Sequence, residues 1–167
     1  MLYYITGGER SGKSSYAQNL ALELSKKPVY IATSRVWDGD HRKRIDRHIA
    51  DRSDAWTSVE EEKELSTVIQ KNTTVVIDCV TLWLTNFFVD TKNDIEMSLD
   101  QAKKEFNKLL TIEANIIIIS NEIGMGVHAT TEIGRKFTEL QGWMNQHIAK
   151  HADQAIFMVS GIPVKIK

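Results

Sequence analysis

The sequence is poor in the residues that stabilise small secreted proteins or cross membranes. Its 167 residues include a single cysteine, Cys79, which excludes an internal disulfide framework and indicates a reducing compartment. Continuous apolar runs such as Ile116–Ile119 are far shorter than the roughly 20 residues that a membrane-spanning helix needs. The opening MLYYITGG lacks the basic segment and the long apolar core of a signal peptide. We therefore expect a cytoplasmic protein without a membrane span.

The sequence also lacks an excess of positive or negative charge. The formal net charge is −1 at pH 7, and no stripe of aromatic and basic residues runs along the chain, so a nucleic-acid or membrane-surface partner is not expected. Hydrophobic residues make up 42% and charged residues 26%, which is typical of a globular protein. The length suits one domain with a substantial core. We predict a single domain over residues 1–167.

Short β-branched runs alternate with longer stretches of helical periodicity. The apolar runs predict buried strands at 2–6, 29–33, 75–79, 115–120 and 155–159, with a short edge strand after a turn at Gly161–Pro163. Helices are predicted at roughly 13–26, 38–51, 59–71, 80–90, 96–111 and 130–150. This alternation predicts an α/β fold with a mainly parallel sheet.

One segment near the N-terminus has the pattern of a phosphate-binding loop. Residues 7–14, GGERSGKS, fit G-x-x-x-x-G-K-[ST] and lie between an apolar strand and a helix, as that pattern requires. Glycines let successive backbone N–H groups point at phosphate oxygens, and the helix start adds its positive dipole end. Lys13 would contact the outer phosphates, and the Ser14 hydroxyl would bind Mg²⁺. The nucleotide-binding residues predicted here are Gly7, Gly8, Glu9, Arg10, Ser11, Gly12, Lys13 and Ser14.

An acidic residue ends the third predicted strand. The carboxylate of Asp78 in VVIDC could share the Mg²⁺ with Ser14. The alternative is an N-cap for the following helix, where aspartate is favoured. Beside a phosphate loop, the metal interpretation is preferred.

The stretch RKRIDRHIADR, residues 42–52, places one histidine among five basic residues. If 38–51 is a helix, Arg44, His48 and Arg52 lie four residues apart on one face. Flanking guanidiniums lower the pKa of an imidazole and so favour the neutral form that a nucleophile needs. The residues alone favour a plain alternative, a solvated helix whose charge is balanced by Asp46 and Asp51.

Together the motifs resemble one enzyme family. TGGERSGKSSYAQ, VYIATS, RIDRH, DCVTLWLTN, SNEIGMG and VSGIPVKIK follow the order and spacing of the bifunctional adenosylcobinamide kinase / adenosylcobinamide-phosphate guanylyltransferases. The resemblance covers residues 1–167 and implies a three-layer P-loop NTPase fold of RecA type and a homotrimer. It also implies the substrates adenosylcobinamide, ATP and GTP, with Mg²⁺ as the metal.

The resemblance implies two reactions and a set of site residues. The family phosphorylates adenosylcobinamide, then transfers GMP from GTP to that phosphate through a guanylyl-histidine, which corresponds here to His48. This overturns the preference for a solvated helix and makes His48 and Lys13 the expected catalytic residues. Beyond the phosphate loop, the implied nucleotide contacts are Ala32, Thr33, Ser34, Ile49, Ala50, Asp51, Arg52, Glu60 and Asp78, with Ser14 and Asp78 on the metal.

Two rival functions and two residues are left open at this point. A single-step small-molecule kinase would use the phosphate loop without a covalent histidine, and a RecA-type nucleic-acid-binding module is disfavoured by the near-zero net charge. Glu122 could orient the acceptor hydroxyl or a water, or could be a buried acid bonded to loop N–H groups. His128 is expected to be a plain loop residue instead of a second phosphate contact.

Overall fold

The computed structural model describes residues 1–35 and 54–167. Within these residues seven strands form one sheet, with helices on both of its faces. In chain order the elements are β1 (Leu2–Gly7), α1 (Lys13–Leu24), β2 (Val29–Ala32), β3 (Thr57–Glu60), a 3-10 helix (Leu65–Thr67), β4 (Thr74–Asp78), α2 (Val80–Asp90), α3 (Ile95–Leu109), β5 (Asn115–Asn121), α4 (Glu132–His151), β6 (Gln154–Val159) and β7 (Ile162–Lys165). No helix among the described residues is both long and apolar enough to cross a membrane.

The sheet is parallel except at one edge. Its strand order is β3-β2-β4-β5-β1-β6-β7, and only β7 runs antiparallel to its neighbour β6. The six parallel strands therefore end at the same edge of the sheet, which is where open α/β sheets bind ligands. The predicted mainly parallel α/β fold is confirmed.

The central strands are apolar because both of their faces are covered. Every residue of β1 is buried, and so are Ile116–Ile119 of β5. On one face Ala17 and Ala21 of α1 pack against Ile5 and Ile119, and their small side chains bring the helix close to the sheet. On the other face α2, α3 and α4 pack over the sheet through large apolar residues, including Leu84, Phe106, Leu140 and Met144. The result is the predicted arrangement of three layers.

One predicted helix is wrong. Residues 59–71 form the end of β3 and a single turn of 3-10 helix, because β3 pairs in parallel with β2 from Val29–Thr57 to Ala32–Glu60. The Glu61 carboxylate then accepts hydrogen bonds from the backbone N–H groups of Lys63 and Glu64, at 2.9 and 2.8 Å. That local turn competes with a continuous helix. The predicted helix at 38–51 lies outside the described residues.

A substitution inside α4 tests where the core lies. Leu140 has 0% exposure, so Leu140→Ala should lower the free energy of unfolding by about 2–5 kcal/mol through lost burial and a residual cavity. Leu22→Ala on α1 is the matched control, because Leu22 is 43% exposed and should cost less than about 1 kcal/mol. Urea unfolding followed by circular dichroism measures both values, and equal losses would contradict this packing.

Candidate nucleotide site

The carboxyl ends of five strands bring the predicted site residues to one edge of the sheet. Register places Glu60, Ala32 and Asp78 side by side on β3, β2 and β4. Gly7 at the end of β1 lies opposite Asn121 at the end of β5. The phosphate loop and the acidic strand end therefore share an edge although 64 positions separate Ser14 from Asp78.

The loop between β1 and α1 has the conformation that its glycines allow. Gly12, the residue before α1, has φ 94°, in the region that side chains rarely adopt. The loop turns through a hydrogen bond from the Ser11 N–H to the Gly8 carbonyl at 3.3 Å. The Ser11 carbonyl accepts from the Gly161 N–H at 3.0 Å, so the turn between β6 and β7 supports the loop from outside.

Lys13 is buried in the first turn of α1 and its ammonium points back into the loop. Its Nζ donates to the Gly8 carbonyl at 2.5 Å and to the Ser11 hydroxyl at 3.4 Å. Burial lowers the pKa of Lys13, while the nearby Glu9 and Asp78 carboxylates raise it. A cation held there faces the place that the loop pattern assigns to phosphates.

Asp78 joins the loop helix to the sheet. Its Oδ2 accepts hydrogen bonds from the Ser14 hydroxyl at 3.0 Å and from the Tyr30 hydroxyl at 2.6 Å. The N-cap of α2 is Cys79, without a side-chain cap bond, so the alternative of Asp78 as a helix cap is wrong. A hydroxyl and a carboxylate this close are the hard oxygen ligands that Mg²⁺ prefers. No group of three His, Cys, Asp or Glu that could hold a metal occurs among residues 1–35 and 54–167.

The segment after β2 is fixed by buried hydrogen bonds. The Thr33 hydroxyl donates to the Cys79 carbonyl at 2.8 Å and accepts from the Cys79 N–H at 2.9 Å. The Asn86 amide donates to the Thr33 and Glu62 carbonyls at 2.8 and 2.9 Å, which ties α2 to the ends of β2 and β3. Thr33 therefore positions the loop through its side chain, while the neighbouring Ala32 is only partly buried.

An ion-pair network that the sequence analysis missed lies beside this segment. The Arg35 guanidinium binds both oxygens of Asp90, at 2.9 and 3.1 Å, and one oxygen of Glu62 at 2.7 Å. Lys63 adds a contact to Asp90 at 2.7 Å. The hydrogen bonds from Arg35 and Lys63 hold the pKa of Asp90 far below its usual range. In the sequence, Arg35 is 27 residues from Glu62 and 55 residues from Asp90, so no local sequence pattern reveals these ion pairs.

Two further acidic residues occupy the same edge. The Glu122 N–H donates to the Gly7 carbonyl at 3.0 Å, and its carboxylate accepts from the Gly124 N–H at 3.2 Å. Glu122 therefore bonds a loop N–H group, as one of its two interpretations expects, but the residue is half-buried, and its orienting role stays a prediction. Glu60 ends β3 with an exposed side chain. His128 is an exposed loop residue.

The remaining predicted residues are outside the described chain. His48, with the nucleotide contacts Ile49, Ala50, Asp51 and Arg52, falls between residues 35 and 54. The structure therefore brings together the phosphate loop, Asp78 and the end of β2, and it leaves the histidine segment as a prediction.

Comparison with known proteins decides the family. A family model described as cobinamide kinase / cobinamide phosphate guanyltransferase matches residues 3–166. The chain belongs to this family. The family resemblance predicted from the motifs is confirmed.

Relatives in the family match over their whole lengths. The bifunctional adenosylcobalamin biosynthesis protein CobP of Pseudomonas aeruginosa is 35% identical over 168 residues, covering 98% of this chain and 95% of the relative. The bifunctional adenosylcobalamin biosynthesis protein CobU of Escherichia coli K12 is 34% identical over 182 residues and covers both chains completely. A solved structure of an ATPase from a type III secretion system matches 98% of this chain and 56% of its own, with a TM-score of 0.52 and 10% identity. That likeness concerns the fold alone, and it agrees with the three-layer α/β architecture described above.

Two adjacent glycines offer a matched test of the loop. A Cβ added at Gly7 would lie 2.5 Å from the Met158 carbonyl oxygen, whereas one added at Gly8 would meet nothing within 4 Å. Gly7→Ala should therefore lower the free energy of unfolding by about 1–3 kcal/mol, and Gly8→Ala should leave it nearly unchanged. Thermal and urea unfolding measure the difference, and a Gly7→Ala protein as stable as Gly8→Ala would contradict this loop geometry.

Proposed function

We propose that this chain phosphorylates adenosylcobinamide with ATP or GTP and then transfers GMP from GTP to the new phosphate. The products are adenosyl-GDP-cobinamide and pyrophosphate. Family membership supports both reactions, and the relatives match over essentially their full lengths. The structural observation that carries the proposal is the Ser14–Asp78 contact at 3.0 Å beside the buried Lys13, because these groups are the ones that would bind a triphosphate and its metal at the edge of the sheet.

The first reaction is a phosphoryl transfer. The acceptor hydroxyl oxygen attacks the γ-phosphorus, the bond from the γ-phosphorus to the bridging oxygen breaks, and a nucleoside diphosphate leaves while the hydroxyl proton passes to a base. Lys13 is the proposed catalytic residue, because its ammonium offsets charge on the outer phosphates. The remaining residues of the loop, Gly7–Ser14, would hold the phosphates through backbone N–H groups and the start of α1.

Mg²⁺ fits the site through Ser14 and Asp78. Both supply oxygen ligands, and their 3.0 Å contact means that one cation could replace the hydrogen bond between them. When bound, the cation would offset negative charge on the leaving phosphate groups of either reaction. Tyr30 would keep the Asp78 carboxylate oriented through its own hydrogen bond of 2.6 Å.

The second reaction would pass through His48. One imidazole nitrogen attacks the α-phosphorus of GTP, the bond to the bridging oxygen of the leaving group breaks, and pyrophosphate departs. A phosphate oxygen of the cobinamide phosphate then attacks the same phosphorus, the P–N bond breaks, and His48 is regenerated. Arg44 and Arg52 would keep the imidazole neutral and gather the α-phosphate.

The other predicted contacts surround this nucleotide. Ala32, Thr33 and Ser34 would contact it from the end of β2, with Glu60 and Asp78 on the flanking strands. Ile49, Ala50, Asp51 and Arg52 would contact it from the segment beyond His48. We further propose that one domain, residues 1–167, carries both reactions in the cytoplasm and assembles as a homotrimer.

Labelled GTP tests the covalent step. With Mg²⁺ and GTP labelled in the α-phosphate, wild-type protein should acquire an acid-labile label, because a phosphoramidate hydrolyses in acid. His48→Ala should acquire no label and should lose GMP transfer, yet still phosphorylate cobinamide. Lys13→Ala should lose both reactions, since both need the triphosphate in the loop. Gel autoradiography and product chromatography measure these outcomes.

Two results would overturn parts of the proposal. If wild-type protein stays unlabelled while γ-phosphate reaches cobinamide, the chain is a single-step kinase. If His48→Ala loses both activities with its circular dichroism spectrum unchanged, the two reactions do not divide as proposed.

Removing the charge of Asp78 tests the metal site. Asp78→Asn preserves the shape of the side chain and removes an anionic ligand, so the Mg²⁺ concentration for half-maximal kinase rate should rise by about tenfold or more. Asp100→Asn is the matched control, because Asp100 pairs with Lys104 in an exposed contact on α3. An Asp78→Asn protein with the wild-type Mg²⁺ dependence would rule out Asp78 as a metal ligand.

A further inference from the structure

A cavity lies beside the loop after β5, and its wall begins one residue beyond the contact between Glu122 and Gly7. It has a volume of about 570 Å³ and opens between the loop after β5 and the first two turns of α4. Ile123, Gly126, Val127 and His128 form one side, and helix residues that include Arg135 and Thr138 form the other. None of these residues belongs to the predicted nucleotide site, so the cavity calls for another occupant.

The position of the cavity relates it to the proposed reaction. Glu122, the residue before its wall begins, donates its N–H to the carbonyl of Gly7 in the phosphate loop at 3.0 Å. The cavity lies on the side of the sheet that α4 covers, whereas α1 packs on the opposite side. An occupant could therefore extend one arm past Glu122 toward the terminal phosphates without displacing the nucleotide.

The surface around the cavity is more apolar than an exposed loop normally is. Val127 is 97% exposed, Met125 is 74% exposed and Ile133 is 55% exposed. Clustered apolar groups in contact with water mark a binding surface. Charged groups surround them, with Lys136 paired to Glu132 at 2.7 Å and Glu139 on the next turn of α4.

Hydrogen bonds hold the walls of the cavity in place. The Arg135 guanidinium donates to the carbonyls of Ala129 and Thr130, at 3.3 and 3.0 Å, which fixes the end of the loop to α4. The Thr131 hydroxyl caps α4 by accepting from the Gly134 N–H at 3.1 Å. A preformed site of this kind loses little conformational entropy on binding.

We propose that this cavity binds the corrinoid acceptor, an inference that rests on the function proposed above. A corrinoid presents a flat, largely apolar ring with amide arms, and one arm carries the hydroxyl that becomes phosphorylated. Val127 and Ile123 would contact the ring, while Arg135, Lys136 and Glu139 would bond the amide oxygens and N–H groups. The reactive arm would pass over Glu122 to the phosphate loop. It would end in a hydroxyl in the first reaction and in a phosphate in the second.

Two variants and one control test the site. Val127→Asp places a charge against the ring, and Gly126→Trp fills the cavity, where the nearest atom to an added Cβ is 3.5 Å away. Each should weaken cobinamide binding, measured by equilibrium dialysis without nucleotide, by about tenfold or more, and raise the KM for cobinamide equally. The control Leu22→Asp changes an exposed residue on α1, on the other side of the sheet, and should change neither value.

Labelling with GTP alone separates this site from the nucleotide site. Both variants should take up α-label as wild-type protein does, since the acceptor has no part in that step. Unchanged cobinamide affinity, or an equal loss of GTP labelling, would overturn the assignment. So would dissociation of the assembly in sedimentation, which would make the surface a contact between copies of the chain. Failure of wild-type protein to phosphorylate cobinamide would count against the proposed function, while dialysis would still test the cavity.

Discussion

The site depends on the hydrogen bonds that the Asp78 carboxylate accepts from Ser14 and Tyr30. β5 separates β4 from β1, yet the Ser14 hydroxyl reaches Asp78 at 3.0 Å because α1 packs on one face of the sheet against β4, β5 and β1. The same oxygen accepts from Tyr30 on β2. This one carboxylate thus fixes the phosphate loop relative to β2 and β4. The pair of Ser14 hydroxyl and Asp78 carboxylate is available for a cation because β1, β2 and β4 end at the same edge of the sheet.

Two sets of contacts divide the edge of the sheet around that carboxylate. Toward β2 and β3, Thr33, Asn86 and the Arg35–Asp90 pair hold the segment that leads to the proposed nucleophile. Toward α4, Glu122 and Arg135 shape the cavity beside the phosphate loop. In the proposed function, the segment that carries His48 and the acceptor would therefore approach the bound nucleotide from different sides, which suits two successive transfers to one acceptor.

The sequence predicted what depends on local pattern. The loop at residues 7–14, the parallel strands and the position of Asp78 at a strand end follow from spacing and from apolar runs, and the structure places Asp78 against Ser14 as expected. The predicted helix at 59–71 overlaps the end of β3, because the pairing of β3 with β2 depends on distant residues and TSVE has little apolar signal of its own. The bonds from Arg35 to Glu62 and Asp90 span 27 and 55 residues, and the cavity is formed by the loop before α4 and its first turns. Such features arise only when the chain is folded.

The buried Lys13 ammonium contributes little to the folding stability of the protein without nucleotide. Lys13 is 7% exposed, its ammonium donates to the Gly8 carbonyl and the Ser11 hydroxyl, and burial lowers its pKa. A buried cation held by neutral partners is costly, because neither contact replaces its hydration in full. Phosphate oxygens would compensate this charge. The free-energy cost of burying the ammonium in the free protein would then be recovered when a triphosphate binds, and this recovery would add to its affinity. The same reasoning supports the proposed metal ligands Ser14 and Asp78, because the carboxylate bonds two hydroxyls and a cation would offset its charge.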